Sequence, residues 1–445
     1  KIKSVILVIY MANTFIFLFF LSIIHDLVNV HKVSLKKDLN EYDLYLQNLL
    51  LKKINMHPKV VNISENNIKN LILLQLESFP YEFINQRITP NLYNLSQKYE
   101  FIESIKSEPY TTWSTSSIVV TQCGIPQILP DIDDSNRLKV HMYYMNYISC
   151  ISDILNTVGY KRVYSIKGSE KVMGYNLWRK YKKYQNILQA KGDLEIANFF
   201  AENFLPKMDK DVRENGDYAI CHNKSNFKNH SIDYMSEFHL ESDKKTSTFP
   251  SRYLIYILFE DTHIPYKKQS WCKLNSKGLA KNEQCFNCDD IAVNIFVNKY
   301  LELKMYEHTV LAIYPDHIPY GHGLEKNNDH LFVLFPGIKK NNSIFKDKDS
   351  FSYYDFAPTI LDMIGINNYL PEFPFGKSIY SNESSNYLKH RKPDSHDLEL
   401  IYDFLNNDKH MKNFGVKTKK KFKCYLDYKK DKFFDSDTPC NFTIQ

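Results

Sequence analysis

The stretch TVLAIYPDH, residues 309–317, decides how this chain is read. Its six leading residues contain no charge and suit a strand buried on both faces, as in a parallel sheet. Pro315 breaks the run, and Asp316 and His317 follow at once. An acid and an imidazole are costly to bury unless paired or bound to a metal. Ligands of parallel sheets sit beyond the carboxyl ends of the strands, which is where this pair falls.

Working outward, the same pattern recurs. LILLQL (71–76) is a second continuous apolar run, and Glu77 follows it. YLIYILF (253–259) is a third, followed by Glu260, Asp261, Thr262 and His263. RVYSI (162–166) and LFVLF (331–335) are further strand candidates. TPNLYNLSQKY (89–99) reads as a helix with Thr89 as N-cap and Pro90 at the first helical position. IAVNIFVNKYLEL (291–303) and YDFAPTILDMIGI (354–366) also read as helices. Strands alternating with helices predict an α/β fold with a mostly parallel sheet flanked by helices.

A lone acid after a strand is usually a solvated loop residue. Three strands ending in acids and imidazoles gather like charge at one edge, and something positive must offset it. Glu77, Asp316 and His317 form an oxygen-rich set with one imidazole, which suits Mn²⁺ or Zn²⁺ better than a sulfur-seeking ion. Upstream, SEPYTTWSTSSIVVTQCGIP (107–126) holds a hydroxyl-rich turn and then an apolar helical run. Ser114 falls at the helix start, where free backbone N–H groups favour an anion. Metal coordination there would turn a weak hydroxyl nucleophile into a strong one. A simple N-cap role for Thr112, Ser114 or Thr115 is the plainer alternative.

The rest of the chain sets the context. Lys and Arg total 57 against 51 Asp and Glu, a net charge of +6 over 445 residues, so nothing global favours nucleic acid. Ser4–Ile24 carries no charged residue and is long enough, at about 1.5 Å per residue, to span a bilayer core. We therefore expect a transmembrane helix over 1–25. A connector over 26–68 follows, with Leu35, Leu39, Tyr42, Leu46 and Leu49 on one helical face. A catalytic domain is expected over 69–390 and a Lys-rich tail over 391–445. Eight cysteines fit an oxidising compartment. CFNC (285–288) lacks the second half of a zinc finger, so loop disulfides involving Cys272, Cys285 and Cys288 are expected, with the pairing open.

Taken together, NLILLQLESF (70–79), TPNL (89–92), TTWSTSSIVVTQCGIP (111–126), EDTHIPY (260–266), YPDHIPYGHG (314–323) and YDFAPTILDMIGI (354–366) resemble the alkaline phosphatase/sulfatase superfamily. The likeness is closer to its membrane-anchored phosphoglycerol and phosphoethanolamine transferases, the lipoteichoic acid synthase-like group. That resemblance implies an alkaline phosphatase-like fold and one divalent metal on Glu77, Ser114, Asp316 and His317. It implies Ser114 as nucleophile, in place of the usual Thr, with Thr115 next door as the alternative. His263 would contact phosphate, and Trp178 and Arg179 would hold the lipid phosphate. It implies a phospholipid donor, a glycan or lipid acceptor, and a catalytic domain on the extracytoplasmic or lumenal side of a membrane. STSSIVV (114–120) lacks the Pro and Arg of a sulfatase signature, so sulfate ester hydrolysis is not expected. His322 and His330 are spare imidazoles with nothing to place them in a second metal site. Two other readings stay open: a phosphodiesterase or phosphatase with water as acceptor, and an inactive tethered binding protein.

Overall fold

The structure is a computed structural model; it describes residues 58–60, 68–106, 114–126, 148–167, 184–214, 252–263, 266, 271–272, 278–318, 330–340 and 351–380. All of them fall in one unit, Gln47–Gln445. The expected span at 1–25, most of the connector, Trp178, Arg179, His322 and the tail lie outside the described residues. Among those described, no helix is long and apolar enough to cross a membrane.

Nine strands are described: β1 (Lys59–Val60), β2 (Asn70–Leu76), β3 (Tyr99–Lys106), β4 (Tyr160–Lys167), β5 (Gln185–Ala190), β6 (Arg252–Phe259), β7 (Thr309–Pro315), β8 (His330–Lys339) and β9 (Tyr369–Leu370). Seven of them form the central sheet in the order β3-β8-β7-β2-β6-β4-β5, while β1 and β9 pair separately. β2 runs parallel to β6 and β7, and β4 parallel to β5 and β6. β8 is antiparallel to both its neighbours, β3 and β7. The sheet is thus mixed, with six strands in one direction and β8 reversed. Sequence patterning found β2, β4, β6, β7 and β8 and missed β3 and β5.

Alternation along the central strands gives the sheet two different faces. Ile72, Leu74 and Leu76 share one face with Ile255, Ile257, Phe259, Leu311 and Ile313 in a single apolar core. Helices α1 (Pro90–Lys98), α4 (Asp193–Phe199) and α6 (Lys281–Glu302) contribute to that core. The other face carries Gln75, Tyr256 and Tyr314, all buried. Tyr314 packs on Phe356 of α7 (Phe356–Met363), with ring centroids 4.5 Å apart. Tyr184 donates to Gln122 Oε1 of α2 (Ser114–Cys123) at 3.2 Å. Tyr256 donates to Gln75 Oε1 at 2.7 Å, so this polar layer is partly satisfied internally.

Three local expectations need correction. Thr89 makes no side-chain cap; its hydroxyl donates to Phe83 O at 2.6 Å. The first N–H groups of α1 are instead capped from α6, where Asp290 accepts from Asn91 and Leu92 N at 3.0 and 2.8 Å. Cys285 and Cys288 sit on α6, which starts ten residues before the apolar run that signalled it, and not in a loop. Cys288 is bonded to Cys272, and a second disulfide joins Cys123, the last residue of α2, to Cys150 ahead of α3 (Ile151–Asn156).

Candidate metal centre

Register places the site. Leu76 pairs with both Pro315 and Phe259, so Glu77, Asp316 and Glu260 emerge level at one edge. Backbone bonds continue the ladder one step: Glu77 N donates to Phe259 O and Asp316 N to Leu76 O, each at 2.9 Å. Ser114, the first residue of α2, lies over the same edge.

The groups then meet. Ser114 Oγ donates to Glu77 Oε2 at 3.0 Å and lies 3.4 Å from His317 Nε2. His317 Nε2 is 3.3 Å from Glu77 Oε1 and 3.5 Å from Asp316 Oδ2. Among the described residues, Glu77, Asp316 and His317 are the one set of three whose ligand atoms lie within 4.8 Å of one another. All three are buried, as is Ser114. His317 Nδ1 donates to Ile318 O at 2.7 Å, which leaves Nε2 to face the acids.

Ser78 was not singled out from sequence, yet it fixes both carboxylates. Its N–H donates to Asp316 Oδ1 at 2.7 Å and its hydroxyl to Glu77 Oε1 at 2.9 Å. Its φ of 50° lies in the left-handed region, which costs a non-glycine residue free energy. No sequence signal marks it, because a serine after a strand is ordinary.

These contacts leave a deficit of positive charge. Asp316 Oδ2 is buried with no hydrogen-bond donor. Burial, then the charge of Glu77, pushes Asp316 up to about 8. Burial also acts to raise Glu77, but bonding to His317 and its charge outweigh this and hold Glu77 at about 2. Burial works to lower His317, and is outweighed by Asp316 and Glu77, which raise it to about 9. Protons therefore supply the compensation that a divalent cation would supply better. Two carboxylates, one imidazole and a hydroxyl make a four-donor set that fits a tetrahedral or open site. An orphaned buried oxygen beside that set fits it as well.

The β6 edge behaves differently from the expectation of three converging strands. Asp261 turns away and accepts from Asp193 N at 3.1 Å. Thr262 donates to the backbone oxygen of Glu77 and so buttresses the site. His263 is exposed, and Glu77 feels its charge. Only two strands supply acids to the cluster. Thr115, the next residue of α2, is buried as well. His330 lies 3.9 Å from Glu82, apart from the triad.

No protein-family model matches the chain. A search among curated proteins finds Escherichia coli phosphoglycerol transferase I, 22% identical over 329 residues, or 71% of this chain. The chain is similar to phosphoglycerol transferase I. It spans 39% of the length of that relative, and the Shigella boydii phosphoglycerol transferase I matches to the same extent. The likeness to phosphoglycerol transferases drawn from the motifs agrees with this comparison. Among solved structures, an alkaline phosphatase superfamily protein from Vibrio parahaemolyticus aligns at 18% identity and a TM-score of 0.49. That alignment covers 74% of this chain and 76% of the other. The lipoteichoic acid synthase LtaP from Listeria monocytogenes aligns at 15% identity and 0.45, covering 80% and 95%.

Proposed function

We propose that this chain is a metal-dependent transferase. It moves a phospho-alcohol head group, phosphoglycerol or phosphoethanolamine, from a phospholipid-like donor to an acceptor hydroxyl on a glycan or lipid. The observation that carries the reading is the meeting of Ser114 Oγ with Glu77 at 3.0 Å and His317 at 3.4 Å, at the start of a buried ten-residue helix. Likeness to phosphoglycerol transferase I supports the substrate class.

Glu77, Ser114, Asp316 and His317 would hold one divalent ion, Mn²⁺ or Zn²⁺, which would neutralise phosphoryl charge and acidify the serine hydroxyl. Ser114 Oγ gives up its proton to solvent, to regain it on release, and bonds to phosphorus as the bond to the lipid alcohol breaks. The first turn of α2 would receive the phosphoryl oxygens at the positive end of the helix dipole. His263, on the open side of the edge, gives the leaving oxygen a proton. The acceptor hydroxyl then attacks phosphorus and returns a proton to His263, and Ser114 is released. Trp178 and Arg179 are the proposed lipid-phosphate contacts, since a guanidinium can bind a phosphodiester with two parallel bonds. The apolar segment over 1–25 would anchor the chain, with the catalytic domain on the extracytoplasmic or lumenal side. The disulfides of the described region accord with that compartment.

The test is incubation of the full chain with defined phospholipids and Mn²⁺, followed by intact and peptide mass measurement. An adduct of phospho-alcohol mass on Ser114 is expected. An adduct on Thr115 moves the nucleophile by one residue. Release of free phospho-alcohol with no transfer to any added hydroxyl acceptor would make the chain a hydrolase.

A further inference from the structure

A second acidic group lies behind the β6 edge, and the chemistry above does not use it. Asp193, the first residue of α4, accepts from Glu260 N at 2.9 Å and Asp261 N at 2.5 Å. Asp193 N in turn donates to the Asp261 carboxylate at 3.1 Å. The two segments are clasped so closely that a Cβ on Gly192 would sit 3.2 Å from Asp261 Oδ2. Asp289 of α6 completes the group. It is fully buried and reaches the Asp193 carboxylate, yet neither of its oxygens meets a hydrogen-bond donor.

A buried acid whose oxygens meet no donor, as in Asp289, needs a counter-charge or a proton. A cation fits poorly, because these oxygens do not converge as those of Glu77, Asp316 and His317 do. Both Asp193 oxygens already accept backbone N–H groups, so Asp193 gains most by staying ionised. Asp289 has no such donors and gains most by being the acid. Its proton would satisfy one of its own oxygens and give Asp193 a third donor.

We propose that Asp289 is a neutral carboxylic acid that donates its proton to Asp193, and that this acid pair positions the β6 edge, residues 260–263, against the candidate site. The line of contact is continuous. Asp289 reaches Asp193, Asp193 holds the amides of Glu260 and Asp261, and Thr262 and His263 follow directly. Thr262 then touches the Glu77 backbone. Asp289 is a positioning residue, since it meets neither substrate nor metal. Its link to turnover rests on the function proposed above, while its protonation does not.

Burial and the facing charges of Asp193 on α4 and Asp261 beyond β6 hold the Asp289 carboxyl well above its usual 3.8, with Asp290 on the same helix adding to the effect. A carboxyl raised by folding stabilises the fold at low pH and loses that contribution as pH rises through its folded value.

Three measurements on the full chain test the proposal. Infrared difference spectra of wild type against Asp289→Asn at pH 7, with Zn²⁺ present, should contain a protonated carboxyl band. Its absence overturns the proton assignment. Thermal stability should tilt in favour of Asp289→Asn as pH rises above 3.8, because the amide keeps the donor without the proton; a pH-independent difference overturns it. Amide exchange at Glu260 and Asp261 should be unchanged in Asp289→Asn and faster by tenfold or more in Asp289→Ala. Equal protection in both variants overturns the positioning role. If Asp289→Ala does not fold, the asparagine variant decides alone: exchange faster than wild type at these amides refutes the donor role. Turnover of phosphatidylglycerol, where the wild type shows it, should follow the same order. A wild type without turnover would defeat the proposed function and leave the infrared and exchange results standing.

Discussion

Metal binding should expel protons from this site, and the number can be worked from the residues. Glu77, held at about 2, is ionised throughout the working range and releases nothing. Asp316, at about 8, is mostly protonated at pH 7, and His317, at about 9, still carries its second proton. That second proton sits on Nε2, since Nδ1 is committed to Ile318 O. Nε2 faces Glu77, Asp316 and Ser114 at 3.3–3.5 Å, the position a cation would occupy. A ligand set must be deprotonated to bind, so Zn²⁺ at pH 7 should displace close to two protons. Apparent affinity should then rise about 100-fold per pH unit between pH 6 and 8, and about tenfold per unit from there to pH 9. Calorimetric titration in two buffers of different ionisation heat counts the protons directly. Asp316→Asn should bind more weakly and release one proton fewer. Affinity that is flat from pH 6 to 8, or an unchanged proton count in Asp316→Asn, would refute the reasoning.

Other outcomes follow from the same geometry. With metal chelated, thermal stability should fall as pH climbs above 3.8, where Asp316 ionises only in the unfolded chain, and more steeply above 6.5, where His317 does the same, until the raised groups have lost their folded-state protons toward pH 9. Zn²⁺ at a hundredfold its Kd should restore about 2.7 kcal/mol, roughly 3 °C for a chain of this length, in a melting assay. Ser114→Ala should lower phospholipid turnover at least about a thousandfold while Thr115→Ala stays within about tenfold; the reverse order would identify Thr115. Cys150→Ser opens a loop closed across 27 residues and should cost about 3–4 kcal/mol, read by denaturant titration without reductant. Gly124→Ala should destabilise by about 1–3 kcal/mol, since Gly124 has φ +63° and an added Cβ would meet Phe373 at 2.6 Å.

What was legible in the sequence follows from burial. LILLQL, YLIYILF and TVLAIY read as strands because a strand covered on both faces needs apolar residues at every position. The acids after β2 and β7 stood out because they interrupt such runs. β3, YEFIESIK, was missed because it lies at the sheet margin with polar residues interspersed. β5, QNILQA, was missed for the same reason at the other margin. The start of α6 was hidden because KNEQCFNCDD has no continuous apolar stripe. Its polar residues are used individually: Asp290 caps α1, Asn287 donates to Ile88 O at 2.6 Å, and Cys288 forms a disulfide. Long-range partners of that kind leave no periodicity to read.

The direction of β8 was equally hidden, and it bears on the site. LFVLF is apolar whichever way it runs. Only 14 residues separate β7 from β8, and they include Pro319, Gly321 and Gly323. A parallel return needs a crossover of a dozen or more residues, usually a helix, and this composition disfavours one. Reversal brings the start of β8, at His330, to the edge where β2 and β7 end, since His330 pairs with Lys106 at the end of β3. The connection therefore both leaves and returns at the site edge. DHIPYGHGLEKNND begins with two proposed ligands and ends one residue before an imidazole of that edge. A helical crossover would instead have carried this segment to the opposite edge. The reversed strand thus returns the chain, at His330, to the edge that holds Glu77, Asp316 and His317.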